Sequence, residues 1–169
     1  MEDKLVKEFV AQAIYRMDES TRMIGIAFDQ LSEKDIWLKP NEASNSVGNL
    51  VLHLCGNITQ YGIASLGGTK DFREREKEFL TNGGETKAEL WDKLVETVGK
   101  SKRILNTISS EELLRSREVQ GFSFSGIGVV LHVVEHYSYH TGQIAYWTKI
   151  IKNKDLGFYE GIDLEVKNK

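Results

Sequence analysis

Apolar residues recur every three or four positions through four long stretches of this chain: residues 3–31, 46–65, 86–108 and 125–152. This spacing puts them on one face of a helix, so each stretch is predicted to be an amphipathic α-helix. The only proline, Pro40, lies between the first two stretches. Because proline breaks a helix interior, its scarcity permits long helices. The pattern predicts an all-α four-helix bundle that forms one domain over residues 1–169.

Capping residues mark the start of two of these helices. Asn45 or Ser46 is a suitable N-cap for the second helix, and Thr86 with Glu89 forms a capping box at the third. The connection 66–84 between them is long. An extended chain covers the ~30 Å length of a 20-residue helix in roughly ten residues. This connection can therefore cross the bundle, which would make the second and third helices parallel.

The composition excludes several classes of protein. Lys plus Arg number 22 and Asp plus Glu 25, so the basic excess typical of nucleic-acid binding is lacking. The apolar stretches are too short to span a membrane, and the N-terminus carries charges where a signal peptide would be apolar. The only cysteine, Cys55, allows no internal disulfide and suits a reducing compartment. We therefore expect a cytoplasmic protein that binds neither nucleic acid nor membranes.

Two of the apolar helices each carry one narrow line of polar side chains. On the second helix the line consists of Asn49, His53, Asn57 and Gln60. On the fourth helix it consists of His132, His136, His140 and Gln143. Neighbours within each line are three or four positions apart, so they share one helix face. All four histidines of the chain lie on these two lines.

The two polar lines predict a metal site. A buried polar group without a partner costs about 1–3 kcal/mol, so we expect the lines to face each other. Histidines four apart on a helix can bind one ion, and His53 would add a ligand from across the bundle. The spacing leaves open whether the fourth helix uses His132 with His136 or His136 with His140. The alternative is that these histidines are core residues with ordinary hydrogen-bond partners.

The ligand type indicates which ions and which kind of site to expect. Imidazole suits Zn, Ni, Cu or Fe. Three imidazoles leave coordination positions open for water or substrate, as in catalytic rather than structural zinc sites.

Three segments of the chain resemble the DinB/YfiT-like metalloprotein superfamily. HVVEHYSYHTGQIAYWTK resembles its last helix, and NSVGNLVLHL resembles its second. LSEKDIWLKPNEASNSVGNLVLHLCGNITQYG is similar to an uncharacterised branch of the superfamily, and the resemblance covers roughly residues 5–152. It implies an up-down-down-up bundle, often a homodimer, in which His53, His136 and His140 bind zinc or nickel. Characterised relatives include S-transferases that use low-molecular-weight thiols such as bacillithiol, and a mycothiol-dependent maleylpyruvate isomerase.

The resemblance also implies a function. We expect a metal-dependent thiol S-transferase that joins a low-molecular-weight thiol to a small electrophile. The alternatives are a metal-dependent hydrolase, a non-catalytic stress-related protein that binds metal or a small molecule, and a bundle whose histidines are structural and whose main property is dimerisation. Because many relatives have no known activity, the resemblance implies the metal more directly than the reaction.

Other polar residues near the two lines are candidates for lesser roles. Cys55 lies about 200° round the helix from His53, so we expect a core residue rather than a ligand. Glu135 could be a general base, but a surface or interface carboxylate is the favoured interpretation. Gln143, Asn49 and Asn57 could orient the imidazoles or hydrogen-bond within the core.

Two further groups of residues could contribute to a substrate site. Arg73 and Arg75 lie in the charged segment DFREREKEF, residues 71–79. They could receive an anionic thiol or substrate, although a solvated charged face is favoured. Tyr146 and Trp147 could line the mouth of a pocket, or could belong to the core or a dimer interface.

Overall fold

The computed structural model describes residues 2–167. The helices and strands in this range are α1 Glu2–Gln30, α2 Glu33–Ile36, α3 Val47–Ile58, α4 Arg75–Leu80, α5 Lys87–Leu105, α6 Ser110–Leu114, β1 Ser116–Val119, β2 Phe122–Ser125 and α7 Gly126–Lys152. A π-helical segment, Thr59–Ser65, continues α3. The long helices α1, α3 with its π continuation, α5 and α7 coincide with the four predicted segments. The prediction of an all-α four-helix bundle is therefore confirmed.

The four long helices form a bundle in which α1 packs beside α5 and α7, and α3 packs beside the same two helices. The hydroxyls of Thr21 and Tyr137 are hydrogen-bonded at 2.8 Å. Further along both helices, Lys154 Nζ, just beyond α7, donates to Gln30 Oε1 at 3.1 Å. A later residue of α1 thus contacts a later residue of the α7 segment, so α1 and α7 run parallel.

Helix α3 runs antiparallel to α7. His53 lies against His136, whereas Asn57, one turn further along α3, lies against His132, one turn earlier on α7. The two helices therefore advance in opposite directions. This arrangement makes the polar lines of the two helices face each other, as the sequence predicts.

Helix α3 runs parallel to α5. Gly62, in the π continuation, lies against Ser101, and Gly67 lies against Ile104. The order is therefore up-down-down-up, as expected. The crossover, residues 66–84, carries the chain back along the bundle between α3 and α5, and α4 lies within it.

Each long helix contributes fully buried side chains to one hydrophobic core. Met17, Leu54, Leu94 and Ile144 show this, since all four are 0% exposed. Helix α3 is buried on almost every side, which agrees with its apolar sequence. Within residues 2–167, no helix is long and apolar enough to cross a membrane.

The helical period does not predict α4 or the β1–β2 hairpin. The strands pair antiparallel, with Val119 opposite Phe122. The two turn residues, Gln120 and Gly121, have φ of 54° and 80°, the left-handed region that short hairpin turns require. Tyr61 donates its hydroxyl hydrogen to Gln120 Oε1 at 2.9 Å, which fastens the hairpin to the π segment.

Asn49 attaches the crossover to α3. Its side chain is fully buried, and its Oδ1 accepts hydrogen bonds from the Ser46 backbone N–H at 3.2 Å and hydroxyl at 2.7 Å. Its Nδ2 donates to the backbone carbonyls of Glu78 at 2.9 Å and Thr81 at 2.6 Å. One amide therefore caps α3 and holds α4 in place.

We expect Asn49→Ala to lower the free energy of unfolding by roughly 3 kcal/mol, because several buried polar groups would lose their partners at once. Urea denaturation of both proteins measures the difference. Asn82→Ala is the matched control, since Asn82 is exposed and makes one bond, to the Leu80 carbonyl. The control should change stability by about 0.5 kcal/mol at most. Equal effects of the two substitutions would contradict the role of Asn49 in capping α3 and holding α4.

Candidate metal centre

Three histidines meet where α3 and α7 cross in the middle of the bundle. One ring nitrogen from each of His53, His136 and His140 lies within 4.8 Å of the other two. The Nε2 atoms of His53 and His136 are 2.9 Å apart. His53 and His140 are buried and His136 is half-buried. The structure thus brings together the three residues that the resemblance implies as ligands.

Glu78 fixes the tautomer of His53. Its Oε2 lies 2.9 Å from His53 Nδ1, and Arg73 Nη2 lies 3.1 Å from the same nitrogen. Nδ1 carries either a hydrogen or a lone pair, so it can bond to Glu78 or to Arg73 but not to both. Arg73 Nη2 already donates to Glu78 Oε2 at 2.9 Å, and a lone pair against the carboxylate would be repelled, so we assign the Nδ1 hydrogen to Glu78. The lone pair is then on Nε2, which faces the other two histidines. A carboxylate on the outer nitrogen of a histidine is a common arrangement in metal sites.

Arg73 and Glu78 form a buried ion pair. Arg73 Nε donates to Glu78 Oε1 at 2.7 Å and its Nη2 to Oε2 at 2.9 Å. Nη1 donates to Gln60 Oε1 at 2.9 Å. Burial alone would raise the pKa of Glu78, but the hydrogen bonds from Arg73 and His53 outweigh it, so the pKa is lowered. Glu78 therefore carries its charge at neutral pH.

Gln143 fixes the tautomer of His140 in the same way. Its Oε1 lies 2.7 Å from His140 Nδ1. The amide oxygen accepts, so Nδ1 carries the hydrogen and Nε2 carries the lone pair. Two of the three histidines therefore have Nε2 free for a ligand.

The histidine cluster is compatible with a divalent metal ion. Two imidazole nitrogens bound to one ion at about 2.0–2.1 Å lie roughly 3 Å apart at ordinary coordination angles. The 2.9 Å separation of the His53 and His136 nitrogens agrees with this. Among the residues that the structure describes, no carboxylate or thiol joins the group. The donor set is thus three imidazoles.

Burial keeps His136 and His140 neutral. Burial and, to a smaller extent, the neighbouring histidines together lower the pKa of His136 to about 3. Burial also lowers the pKa of His140 to about 4, although the hydrogen bond to Gln143 opposes this. Imidazole binds metal only when neutral, so both rings are in the binding state at neutral pH.

His132 lies beside the cluster but outside it. Its Nε2 accepts from Asn57 Nδ2 at 3.1 Å, and its ring stacks on Tyr61 with the centroids 4.1 Å apart. It also stacks on His136, with the centroids 5.3 Å apart. The spacing left two pairs open on the fourth helix, and the structure groups His136 with His140.

The remaining candidates from the sequence lie outside the histidine cluster. Cys55 is buried, which raises its pKa to about 12, so its thiol is a core group, as expected. Glu135 is exposed. Tyr146 and Trp147 line a groove that is also lined by Gln143, the hydrogen-bond partner of His140.

The structure changes the interpretation of the charged segment 71–79. A solvated face is the favoured prediction there, but the Arg73 side chain is 3% exposed and Glu78 10%. Each of the three guanidinium nitrogens of Arg73 already donates to a partner, and the side chain is buried, so it is poorly placed to receive an anionic substrate. Arg75 lies over the Phe79 ring at 4.9 Å. The only signal for Glu78 in the sequence is a carboxylate within the charged segment of a long crossover, and that signal is weak.

The fold and the histidine cluster define a class: this is a DinB-like helical bundle. It is similar to the DinB-like protein YjoA of Bacillus subtilis, with 20% identity, a TM-score of 0.68, and coverage of 88% of this chain and 96% of that one. It is also similar to a conserved protein of Enterococcus faecalis, with 15% identity, a TM-score of 0.74, and coverage of 85% of this chain and 97% of that one. A DinB-like protein of Bacillus cereus has 13% identity and a TM-score of 0.65, with coverage of 86% of this chain and 91% of that one. At these identities the likeness shows the fold.

The family follows from the sequence of residues 4–160. This range matches the family described as "Protein of unknown function (DUF1572)", and the chain belongs to that family. The DinB-like fold that the resemblance implies is confirmed by the similar structures. No curated protein matches the chain.

We expect the metal-free protein to lose stability as the pH falls from about 6.5 towards 4. In this range the histidines of the unfolded chain take up protons at a pKa of about 6.5. The folded chain does not, because the pKa is about 3 for His136 and about 4 for His140. In this range the unfolded state binds more protons than the folded state, so the free energy of unfolding decreases as the pH decreases. Calorimetry of chelator-treated protein at pH 7, 6 and 5 measures the loss in Tm.

A double variant isolates the contribution of these two rings. With His136→Gln and His140→Gln combined, the Tm should depend less steeply on pH between 7 and 5. If the Tm of the double variant depended on pH as steeply as that of wild type, the loss of stability would have to come from other titratable groups.

Proposed function

We propose that this protein binds one divalent metal ion, zinc or nickel, through His53, His136 and His140, and transfers a low-molecular-weight thiol to a small electrophile. The observation that carries the proposal is the convergence of three imidazole nitrogens within 4.8 Å, at a point where no fourth His, Cys, Asp or Glu of the described residues joins them. A site with three protein ligands leaves positions for a reactant. The choice of thiol transfer comes from the superfamily resemblance.

The residues of the chain perform the binding and the orientation. His53 and His140 present Nε2 because Glu78 and Gln143 hold the Nδ1 hydrogens. When bound, the ion supplies Lewis acidity, which lowers the pKa of a coordinated thiol or water. In the transfer, the thiol sulfur forms a bond to the electrophilic carbon, the leaving group departs with its electron pair, and the thiol proton passes to solvent.

The surroundings of the site suit a small substrate. Phe79 packs on the His53 ring with the centroids 4.8 Å apart, and Tyr139 packs on His140 with the centroids 5.0 Å apart. Tyr139 is 62% exposed, so this side of the cluster meets solvent. We expect the electrophile to approach here, between aromatic rings.

His136→Ala should remove most of the bound metal, because the ion would lose one of its three protein ligands. Elemental analysis of protein loaded with Zn²⁺ or Ni²⁺ and then desalted measures the content. His132→Ala is the matched control and should keep the wild-type content, since His132 lies outside the cluster. Wild-type content in His136→Ala, or an equal loss in both variants, would refute the ligand assignment.

A thiol-transfer assay tests the reaction. Protein loaded with Zn²⁺ or Ni²⁺ should accelerate the reaction of bacillithiol or cysteine with 1-chloro-2,4-dinitrobenzene, followed by absorbance, and His136→Ala should lose this acceleration. Hydrolysis of p-nitrophenyl acetate without any thiol requirement would instead favour a hydrolase. Metal binding without turnover of either probe would favour a non-catalytic binding protein.

A further inference from the structure

Helix α4 contacts the rest of the molecule at two places, the Asn49 amide and the histidine cluster. Asn49 holds the backbone carbonyls of Glu78 and Thr81. Glu78 is the one buried residue of α4, and Leu80 at its end is 73% exposed. The Phe79 ring packs on His53, and the Glu78 carboxylate bonds to the same histidine. Apart from the Asn49 amide, the contacts that hold α4 therefore converge on one proposed metal ligand.

Helix α3 has a gap that receives the Glu78–Arg73 pair. Gly56 lies three residues after His53, on the side of α3 that faces the crossover. A Cβ at this position would overlap Glu78 Oε1 and would lie 2.9 Å from Arg73 Nε. The close approach of the carboxylate to α3 thus depends on the missing side chain.

We propose that Glu78 is a positioning residue for His53, and that metal binding and the docking of α4 on α3 are coupled through it. This inference rests on the proposed metal site and adds to it a role for the crossover. Glu78 accepts the Nδ1 hydrogen, so the ring is held with Nε2 towards His136 and His140. Loss of such an outer partner typically weakens metal binding 10–100-fold.

The coupling works in both directions. If docked α4 strengthens metal binding, then bound metal strengthens the docking of α4 by the same factor. A six-residue helix is unstable by itself, and segments with few buried apolar side chains open most readily. The crossover is therefore the part of the chain in which metal should produce the largest change.

The first experiment compares Glu78→Gln with Glu76→Gln in the full chain. Glu76 lies in the same helix and is exposed, so its substitution changes the same charge without touching the site. Titration with Zn²⁺ against a chromophoric chelator gives the affinity. Both carboxylate oxygens of Glu78 accept hydrogen bonds, from Arg73 and His53, whereas a glutamine has one accepting oxygen and no charge. We therefore expect Glu78→Gln to bind 10–100-fold more weakly than wild type and Glu76→Gln to match wild type.

Hydrogen exchange and Co²⁺ absorption separate positioning from a general effect on stability. In wild type, Zn²⁺ should slow the exchange of amides in residues 71–81, and in Glu78→Gln this protection should be lost. At saturating Co²⁺, the visible bands of Glu78→Gln should shift, because the His53 ring is no longer held. A residue with a merely structural role would leave those bands unchanged.

A second variant disturbs the contact from the other side. Gly56→Ala keeps Glu78 but fills the gap, so it should also weaken Zn²⁺ binding and reduce the protection of residues 71–81. Gly142→Ala is its matched control, because a Cβ at Gly142 meets no atom within 4 Å. If Glu78→Gln fails to fold by circular dichroism, Gly56→Ala decides the question.

The outcomes are distinguishable. Wild-type protein that binds no Zn²⁺ would overturn both the proposed function and this inference. Wild-type protein that binds Zn²⁺, with Glu78→Gln and Gly56→Ala equal to it in affinity and exchange, would overturn this inference alone.

Discussion

The burial of α3 on almost every side sets the conditions for the rest of the molecule. A helix in this position can carry polar side chains only if each finds a partner inside the protein, because an unpaired buried polar group is costly. Asn49 finds the crossover carbonyls, His53 finds Glu78 and His136, and Asn57 finds His132. A slip of one turn between α3 and α7 would break the two histidine contacts at once. The polar line therefore specifies the register of the bundle.

The up-down-down-up order gives the crossover its importance. Because α3 and α5 are parallel, the chain must return along the bundle between them, and this return passes beside the histidines. A buried ion pair is favourable only when additional hydrogen bonds satisfy it, and the Arg73–Glu78 pair meets that condition through Gln60 and His53. The pair has no net charge, and imidazole binds metal in its neutral form. A divalent ion held there would keep its full charge, which favours Lewis-acid chemistry.

The similar structures show how little of the sequence this fold requires. Identities of 13–20% accompany coverage of 85% or more of this chain. The fold therefore follows from the spacing of apolar residues rather than from particular side chains, since many apolar residues can fill one core. Function resides in a few polar residues placed on that frame. In the function that we propose for this chain, those residues are the histidine cluster and its outer partners, Glu78 and Gln143.

The sequence by itself determined the four long helices and the faces of their polar residues. Helical period is a local property, so the spacing of apolar residues predicts each helix, and the spacing of His136 and His140 puts them on one face. Local spacing says nothing about how one helix is shifted or rotated against another. Only the tertiary structure decided that His53 meets His136 and His140 while His132 pairs with Asn57. It also decided that Glu78, 25 residues beyond His53 in a segment without a long period, returns to the same ring.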